Sequence, residues 1–330
     1  MLKRPLTTAI ALSTLALSSL ALSATAAADT LTLYTSQPQS DAQQTVDAFM
    51  EAHPEIEVEW VRDGTTRLMT RLRSELAAGV SNPDVLLIAD SMTMESLKRD
   101  GHLQAYESPE REAFEPDTFD PEGYYHGTKL ITTGIVYNTA AEERPTSWQD
   151  LLEPEYEGLV TMPSPLYSGA ALIHMAAITE HPELGEAYYE GLRDNRVEAQ
   201  GGNGGVFNAV ATGTKAYGIV VDFLPIREAA EGSPVEFVFP EEGVSAVTEP
   251  VAVMAGADNV DAAQKFVDFV LSEQGQELVS QQGYLPARDG VAAPEGFPER
   301  DTIELMPVDI TRALEQEEAL KARFSELFGG

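Results

Sequence analysis

Val85-Leu86-Leu87-Ile88-Ala89 is an unbroken apolar run set between Pro83-Asp84 and Asp90-Ser91. Such a run is short for a helix and lacks the polar alternation of a half-exposed strand. It predicts a strand covered on both faces, as in a parallel sheet. Its upstream neighbours agree. Leu31-Thr32-Leu33-Tyr34 alternates with β-favouring residues and predicts a first strand, ending in the polar loop Thr35-Ser36-Gln37-Pro38. Ala42, Val46, Phe49 and Met50 then recur at helical spacing up to His53-Pro54, where proline stops the helix. Ile56 to Val61 alternates as a second strand, and a helix from about Thr66 to Ala78 sets Leu68, Leu72 and Leu76 on one face. Strand, helix, strand, helix, strand at this rhythm implies a right-handed parallel α/β lobe.

Downstream, Leu130 to Tyr137 reads as a longer strand crossing into a second lobe. That lobe has its own α/β signals: Leu159-Val160-Thr161-Met162, a helix after Ser168, and the strand Ala216 to Val221. Thr248 to Met254 is an apolar strand that returns to the first lobe. Asp261 to Val279 is an amphipathic helix pair, and a charged helix runs from about Ile310 to Leu327. The expected fold is α/β, two-lobed and hinged by two crossing strands. Its first lobe comprises residues 29–130 with 250–300, and its second 131–249 with 301–330. Residues 1–28 read as a signal peptide: a basic start at Lys3-Arg4, an apolar Ala/Leu-rich run from about Ala9 to Leu22, and A-x-A patterns at Ala24-Thr25-Ala26 and Ala26-Ala27-Ala28. The run falls short of the ~20 apolar residues that cross a bilayer.

Composition narrows the function. With 21 basic and 54 acidic residues the chain carries −33, a charge that repels nucleic acid and anionic headgroups. It equally suits a high-salt habitat or a merely acidic protein. No cysteine occurs, which excludes disulfides, thiolate metal sites and an N-terminal cysteine lipid anchor. Catalytic signatures are missing: there is no G-x-S-x-G, Gly213-Thr214-Lys215 lacks the upstream glycine of a P-loop, and Gly202-Asn203-Gly204 has no third glycine at dinucleotide spacing. His174 and His181 do not have the spacing of a zinc pair, and the other histidines are scattered. The chain is expected to be a monomeric periplasmic protein without a cofactor and without enzymatic activity.

An ordered set of blocks resembles the type II periplasmic solute-binding proteins of ABC importers. They are Pro83-Asp84-Val85, Gly101-His102-Leu103, Tyr137-Asn138, Pro145-Thr146-Ser147-Trp148, Tyr156-Glu157-Gly158, Ala262 to Phe269, and Gly283-Tyr284-Leu285-Pro286. The resemblance is to the ferric-iron-binding-protein-like branch, which includes binders of iron, phosphonates and sugar phosphates. It implies a hinged cleft, a small anionic or zwitterionic ligand and a permease partner. The iron binders of that branch use a histidine in the first loop, a glutamate after the third strand and a Tyr-Tyr pair in the second lobe. This chain has Ser36-Gln37-Pro38, Ala89-Asp90-Ser91 and Val220-Val221-Asp222-Phe223 at those places. Tyr124-Tyr125 and Tyr188-Tyr189 lie elsewhere and read as packing residues.

The anion half of such a site is implied by Ser168-Gly169-Ala170 at a helix start and by Asn203-Gly204 within the glycine cluster 201–205. Thr35 and Ser36 would add hydroxyls from the first lobe, and Thr132 or Thr133 from the crossing strand. Asp90 completes the set of candidates, with Asp222 and Glu249 as carboxylates for the ammonium of an aminoalkylphosphonate or for sugar hydroxyls. The alternatives are a ferric binder with non-tyrosine oxygen ligands, Asp222 and Asp90 among them, and more remotely a periplasmic phosphatase.

Overall fold

The computed structural model describes Met1, 29–80 and 83–329. The expected signal peptide lies outside the described residues, Met1 apart. The first sheet takes β1 (Asp29–Thr35), β2 (Ile56–Arg62), β3 (Val85–Leu87), β4 (Leu103–Gln104) and β5 (His126–Gly127), with α1 (Gln39–Ala52), α2 (Thr65–Ala78) and α3 (Ser91–Arg99) between them. The second is built from β6 (Lys129–Asn138), β7 (Val160–Pro163), α4 (Gly169–Glu180), α5 (Gly185–Asp194), β8 (Glu198–Gln200), α6 (Asn203–Ala211), β9 (Tyr217–Val221), α7 (Phe223–Ala230), β10 (Val235–Val238) and β11 (Ser245–Val247). The chain returns through β12 (Pro250–Met254), α8 (Val260–Leu271), α9 (Glu273–Gln281) and β13 (Leu285–Pro286) and ends in α10 (Ile310–Phe328).

In the first sheet the order is β2-β1-β3-β12-β4, with β5 beside β12. Strands β1, β2 and β3 are parallel, and Leu33 pairs with Val85. The apolar run at 85–88 is explained by the two layers it separates. Val85 and Leu87 pack with Phe49 and Phe266 on one face, while Leu86 and Ile88 pack with Leu68, Leu72 and Met94 on the other. Truncating any of these to alanine costs about 2–5 kcal/mol. The second sheet has the order β10-β6-β9-β7-β8, with β11 and β13 also pairing β6. Its core gathers the fully buried Trp148, Tyr188 and Tyr217.

Each sheet contains one antiparallel strand that reading by parallel units alone does not foresee. Strand β12 lies antiparallel to β3, and β6 lies antiparallel to β9. These are the strands that meet the two crossings. There the Thr128 and Lys129 amides both donate to the Thr248 carbonyl, at 3.0 and 3.2 Å. Glu249 sits at the second crossing with φ of 39°, the left-handed region, which costs a residue with a side chain about 1–3 kcal/mol. Helix α10 packs against α3 as well as α4 and α5, so it touches helices of both sheets. No helix among the described residues is long and apolar enough to cross a membrane.

Candidate ligand-binding cleft

A parallel strand followed by a helix presents its carboxyl end and the helix N-terminus to the same side of the sheet, and ligands of open α/β folds bind there. A cleft of about 520 Å³ opens between the two sheets at this side. Five strand-to-helix connections reach its wall. Ser36 and Pro38 follow β1, Gly64 and Thr65 follow β2, Tyr167 and Ser168 follow β7, Gly201 to Asn203 follow β8, and Phe223 follows β9. Each brings the amide-rich, partially positive start of a helix toward one space.

The wall from the second sheet is cross-tied. Ser168 caps α4, its Oγ accepting from the Ala171 amide at 3.3 Å. Asn203 begins α6; its Nδ2 donates to Ser168 Oγ at 3.3 Å and its Oδ1 accepts from the Val221 amide at 3.2 Å. The two helix starts are thereby fixed side by side. The glycine cluster is split: Gly201 and Gly202 lie before α6, whereas Gly204 and Gly205 form its first turn. A Cβ at Gly204 would meet nothing within 4 Å, so the backbone is open at that position.

The opposite wall carries the positive side chains. Arg62 Nε donates to the Gln37 carbonyl at 2.7 Å, leaving its terminal nitrogens available. Arg67 lies with its guanidinium 4.5 Å from the centre of the Tyr167 ring. Ser36 Oγ accepts from the Ala89 amide at 2.8 Å, tying the first-strand loop to the third. At the floor, Glu249 Oε2 lies 2.6 Å from Lys129 Nζ and accepts from Gln37 Nε2 at 3.3 Å. Burial pushes the Glu249 carboxyl above its usual range, against the pull of Lys129. Among the described residues its Oε1 receives no protein hydrogen bond. Lys129 in turn lies 4.1 Å from the centre of the Tyr284 ring, whose hydroxyl donates to Asp41.

Of the residues expected from sequence, Ser36, Ser168, Ala170, Asn203, Gly204 and Glu249 line the cleft. Five others do not, and each has a local reason. Thr35 is fully buried and its Oγ1 accepts from the Gln37 amide within the turn. Thr133 is buried in β6, held between Val221 and Ser245 on the neighbouring strands. Gly169 faces across the lobes, where a Cβ would fall 2.8 Å from Asp90 Cβ and 2.9 Å from the Ala89 carbonyl. Asp90 is the N-cap of α3, its carboxylate taken by the Thr93 amide and hydroxyl at 3.0 and 2.5 Å. Burial raises its pKa. Asp222 is the N-cap of α7, accepting from Thr132 N and Oγ1 at 2.9 and 2.7 Å and from Phe223 N at 2.7 Å. Burial pushes its carboxyl up to about 7, with those hydrogen bonds opposing.

Both aspartates answer the strong preference for Asp at helix caps. Asp90 and Asp222, two of the oxygen ligands expected for a ferric binder, are thus engaged as caps outside the cleft lining, and among the described residues no group of three His, Asp or Glu is placed to hold a metal. Tyr188 and Tyr189 are buried in α5, away from the cleft.

Arg62, Gly64, Arg67, Tyr167 and Tyr284 line the cleft without having been singled out. A usable signal existed for the first two. Arg62-Asp63-Gly64-Thr65 follows the second strand as Thr35-Ser36 follows the first, so the rule applied to one loop covers the other.

Known proteins agree with this architecture. The family model of the bacterial extracellular solute-binding proteins matches residues 81–313. An iron uptake protein A1 of Synechocystis sp. is 25% identical over 77% of this chain and 74% of its own length. Among solved structures, the periplasmic binding protein AfuA from Actinobacillus pleuropneumoniae with fructose 6-phosphate bound superposes with a TM-score of 0.83 at 21% identity, covering 91% of this chain and 98% of that one. Iron-bound HitA from Pseudomonas aeruginosa gives 0.78 at 22% identity, covering 90% and 99%. The chain belongs to the bacterial extracellular solute-binding proteins, with the fold of the periplasmic binding proteins it superposes on, and is the ligand-carrying component of an ABC transporter.

Proposed function

We propose that this solute-binding protein captures a small organic phosphate or phosphonate, with a polyhydroxyl phosphate ester such as a sugar phosphate as the preferred class, and delivers it to its permease. The carrying observation is the pair of helix starts fixed together by the Asn203 to Ser168 hydrogen bond, facing the arginine-bearing wall across the cleft. Helix N-termini and exposed guanidinium groups both favour an oxyanion. Two of only 21 basic residues stand at this cleft in a chain of charge −33, which makes it a local exception to the field of the molecule. Ser36, Ser168, Ala170, Asn203 and Gly204 are assigned to the oxyanion, together with Arg62.

Glu249 separates the two chemistries considered. Its charge is already matched by Lys129, so it offers an ammonium group little, while Oε1 remains an acceptor for a hydroxyl. This favours a sugar phosphate over an aminoalkylphosphonate. The neighbour with fructose 6-phosphate bound fits the same reading. We further take the protein to act in the periplasm as a monomer after loss of residues 1–28. Members of this family serve transport as binding components, and the cleft is read here as a seat for a ligand that leaves unchanged.

Isothermal titration against fructose 6-phosphate, 2-aminoethylphosphonate, inorganic phosphate and ferric citrate tests the proposal. Tightest binding of the sugar phosphate is expected. Heat from ferric citrate with none from any phosphorus compound would reject it.

A further inference from the structure

Two glycines in the cleft wall adopt backbone angles open to any residue. Gly64 has φ −60° and ψ 143°, and Gly202 has φ −149° and ψ 177°. Neither needs the conformational freedom of glycine. What excludes a side chain at both is one aromatic ring. A Cβ at Gly64 would fall 2.5 Å from Tyr167 Cζ and 2.7 and 2.8 Å from its two Cε atoms. One at Gly202 would fall 2.6 and 2.8 Å from Cε1 and Cδ1 of the same ring. Gly64 stands between β2 and α2 of the first lobe, whereas Tyr167 and Gly202 belong to the second. The ring therefore spans the gap between lobes in a slot cleared of side chains on each side. Two further contacts cross at the same point: the Thr66 amide donates to the Tyr167 carbonyl at 3.4 Å, and the Arg67 guanidinium stacks on the ring at 4.5 Å.

We propose that Tyr167 is an interlobe latch, seated in the Gly64–Gly202 slot and capped by Arg67, which stabilises the shut arrangement of the lobes before any ligand is bound. The inference stands on the contacts between lobes and is independent of which solute the cleft takes. Its consequence is that ligand entry is gated by release of this ring. Among the described residues the Tyr167 hydroxyl makes no hydrogen bond, so the latch works through the face and edge of the ring, and phenylalanine serves equally well.

The cysteine-free sequence makes the test direct. Val80 and Leu159 are exposed, one on each lobe. The Val80→Cys/Leu159→Cys protein, spin-labelled and free of ligand, reports the interlobe distance by pulsed electron paramagnetic resonance. A dominant short-distance population is expected. Gly64→Ala and Tyr167→Ala should each lower the ratio of shut to open molecules at least tenfold, and Tyr167→Phe should restore it. Circular dichroism melts unchanged within a few degrees would show that the variants remain folded; Gly202→Ala, which displaces the ring from the other lobe, serves in place of any that does not. The proposal is overturned if the wild-type latch shows only the long distance, if the alanine variants keep the short one, or if Tyr167→Phe is as open as Tyr167→Ala.

Discussion

At the floor of the cleft Lys129 and Glu249 face each other at 2.6 Å, 1% and 3% exposed, with Gln37 and Tyr284 closing around them. On the walls, Ser168, Asn203 and Arg62 are tied to their own lobes by one or two hydrogen bonds and still present polar atoms to the open space. Both regions are polar, but the floor matches its charges within the protein while Gln37 Oε1 stays without a partner among the described residues, whereas the walls keep donors for a ligand. The difference separates stability from binding. Substitutions at the floor should be read first in unfolding, and substitutions on the walls in affinity.

The largest effect follows at the floor. Removing one partner of a buried ion pair strands the other charge, at a cost of about 3–5 kcal/mol. Glu249→Ala should therefore lower the urea midpoint of the ligand-free protein markedly. The double variant Glu249→Met/Lys129→Met, which strands neither charge, should recover most of the loss. A single variant as stable as wild type would remove the distinction between floor and wall.

Next comes the wall of the second lobe. Asn203→Asp places a carboxylate between the two helix starts, where like charges about 4 Å apart repel by about 4 kcal/mol at an effective dielectric of 20. Affinity for a sugar phosphate should fall at least a hundredfold by titration, with the melting temperature of the free protein little changed. An affinity that held or rose would instead point to a cationic ligand. On the opposite wall Arg62→Gln removes one charge-assisted contact. A loss of about tenfold is expected, accompanied by a weaker dependence of binding on salt. Equal salt dependence in both proteins would take Arg62 out of the site.

The same division explains what was legible in the sequence. The strands and helices that build both lobes could be read because burial writes a periodic pattern, as at Val85 to Ala89 and along α1 and α2. Of the cleft residues at helix starts, Ser168 was readable from the local signature of a helix start, whereas Asn203 was indicated by the family resemblance at its position. The carboxylates were not readable. Asp90, Asp222 and Glu249 look alike in sequence, yet two cap helices and one faces the cleft, and only the three-dimensional partners Thr93, Thr132 and Lys129 tell them apart. The Tyr167 slot was invisible, because its two glycines stand 138 residues apart in the chain.

The smallest effect is also the one where stability and binding should move in opposite directions. Gly204 is in the first turn of α6 with helical neighbours, and an added methyl would touch nothing within 4 Å. Alanine there restricts the unfolded chain and suits the helix, so Gly204→Ala should stabilise the free protein by about 0.5–1 kcal/mol. The same open space is what lets an oxyanion approach the amides at the start of α6. A methyl group holds the anion back by a fraction of its own radius, so affinity should drop a few-fold. Thermal unfolding without ligand and titration with fructose 6-phosphate read the two signs separately. If the variant is more stable and binds as tightly as wild type, the anion rests on α4 and the arginine wall alone, and α6 contributes only the Asn203 side chain.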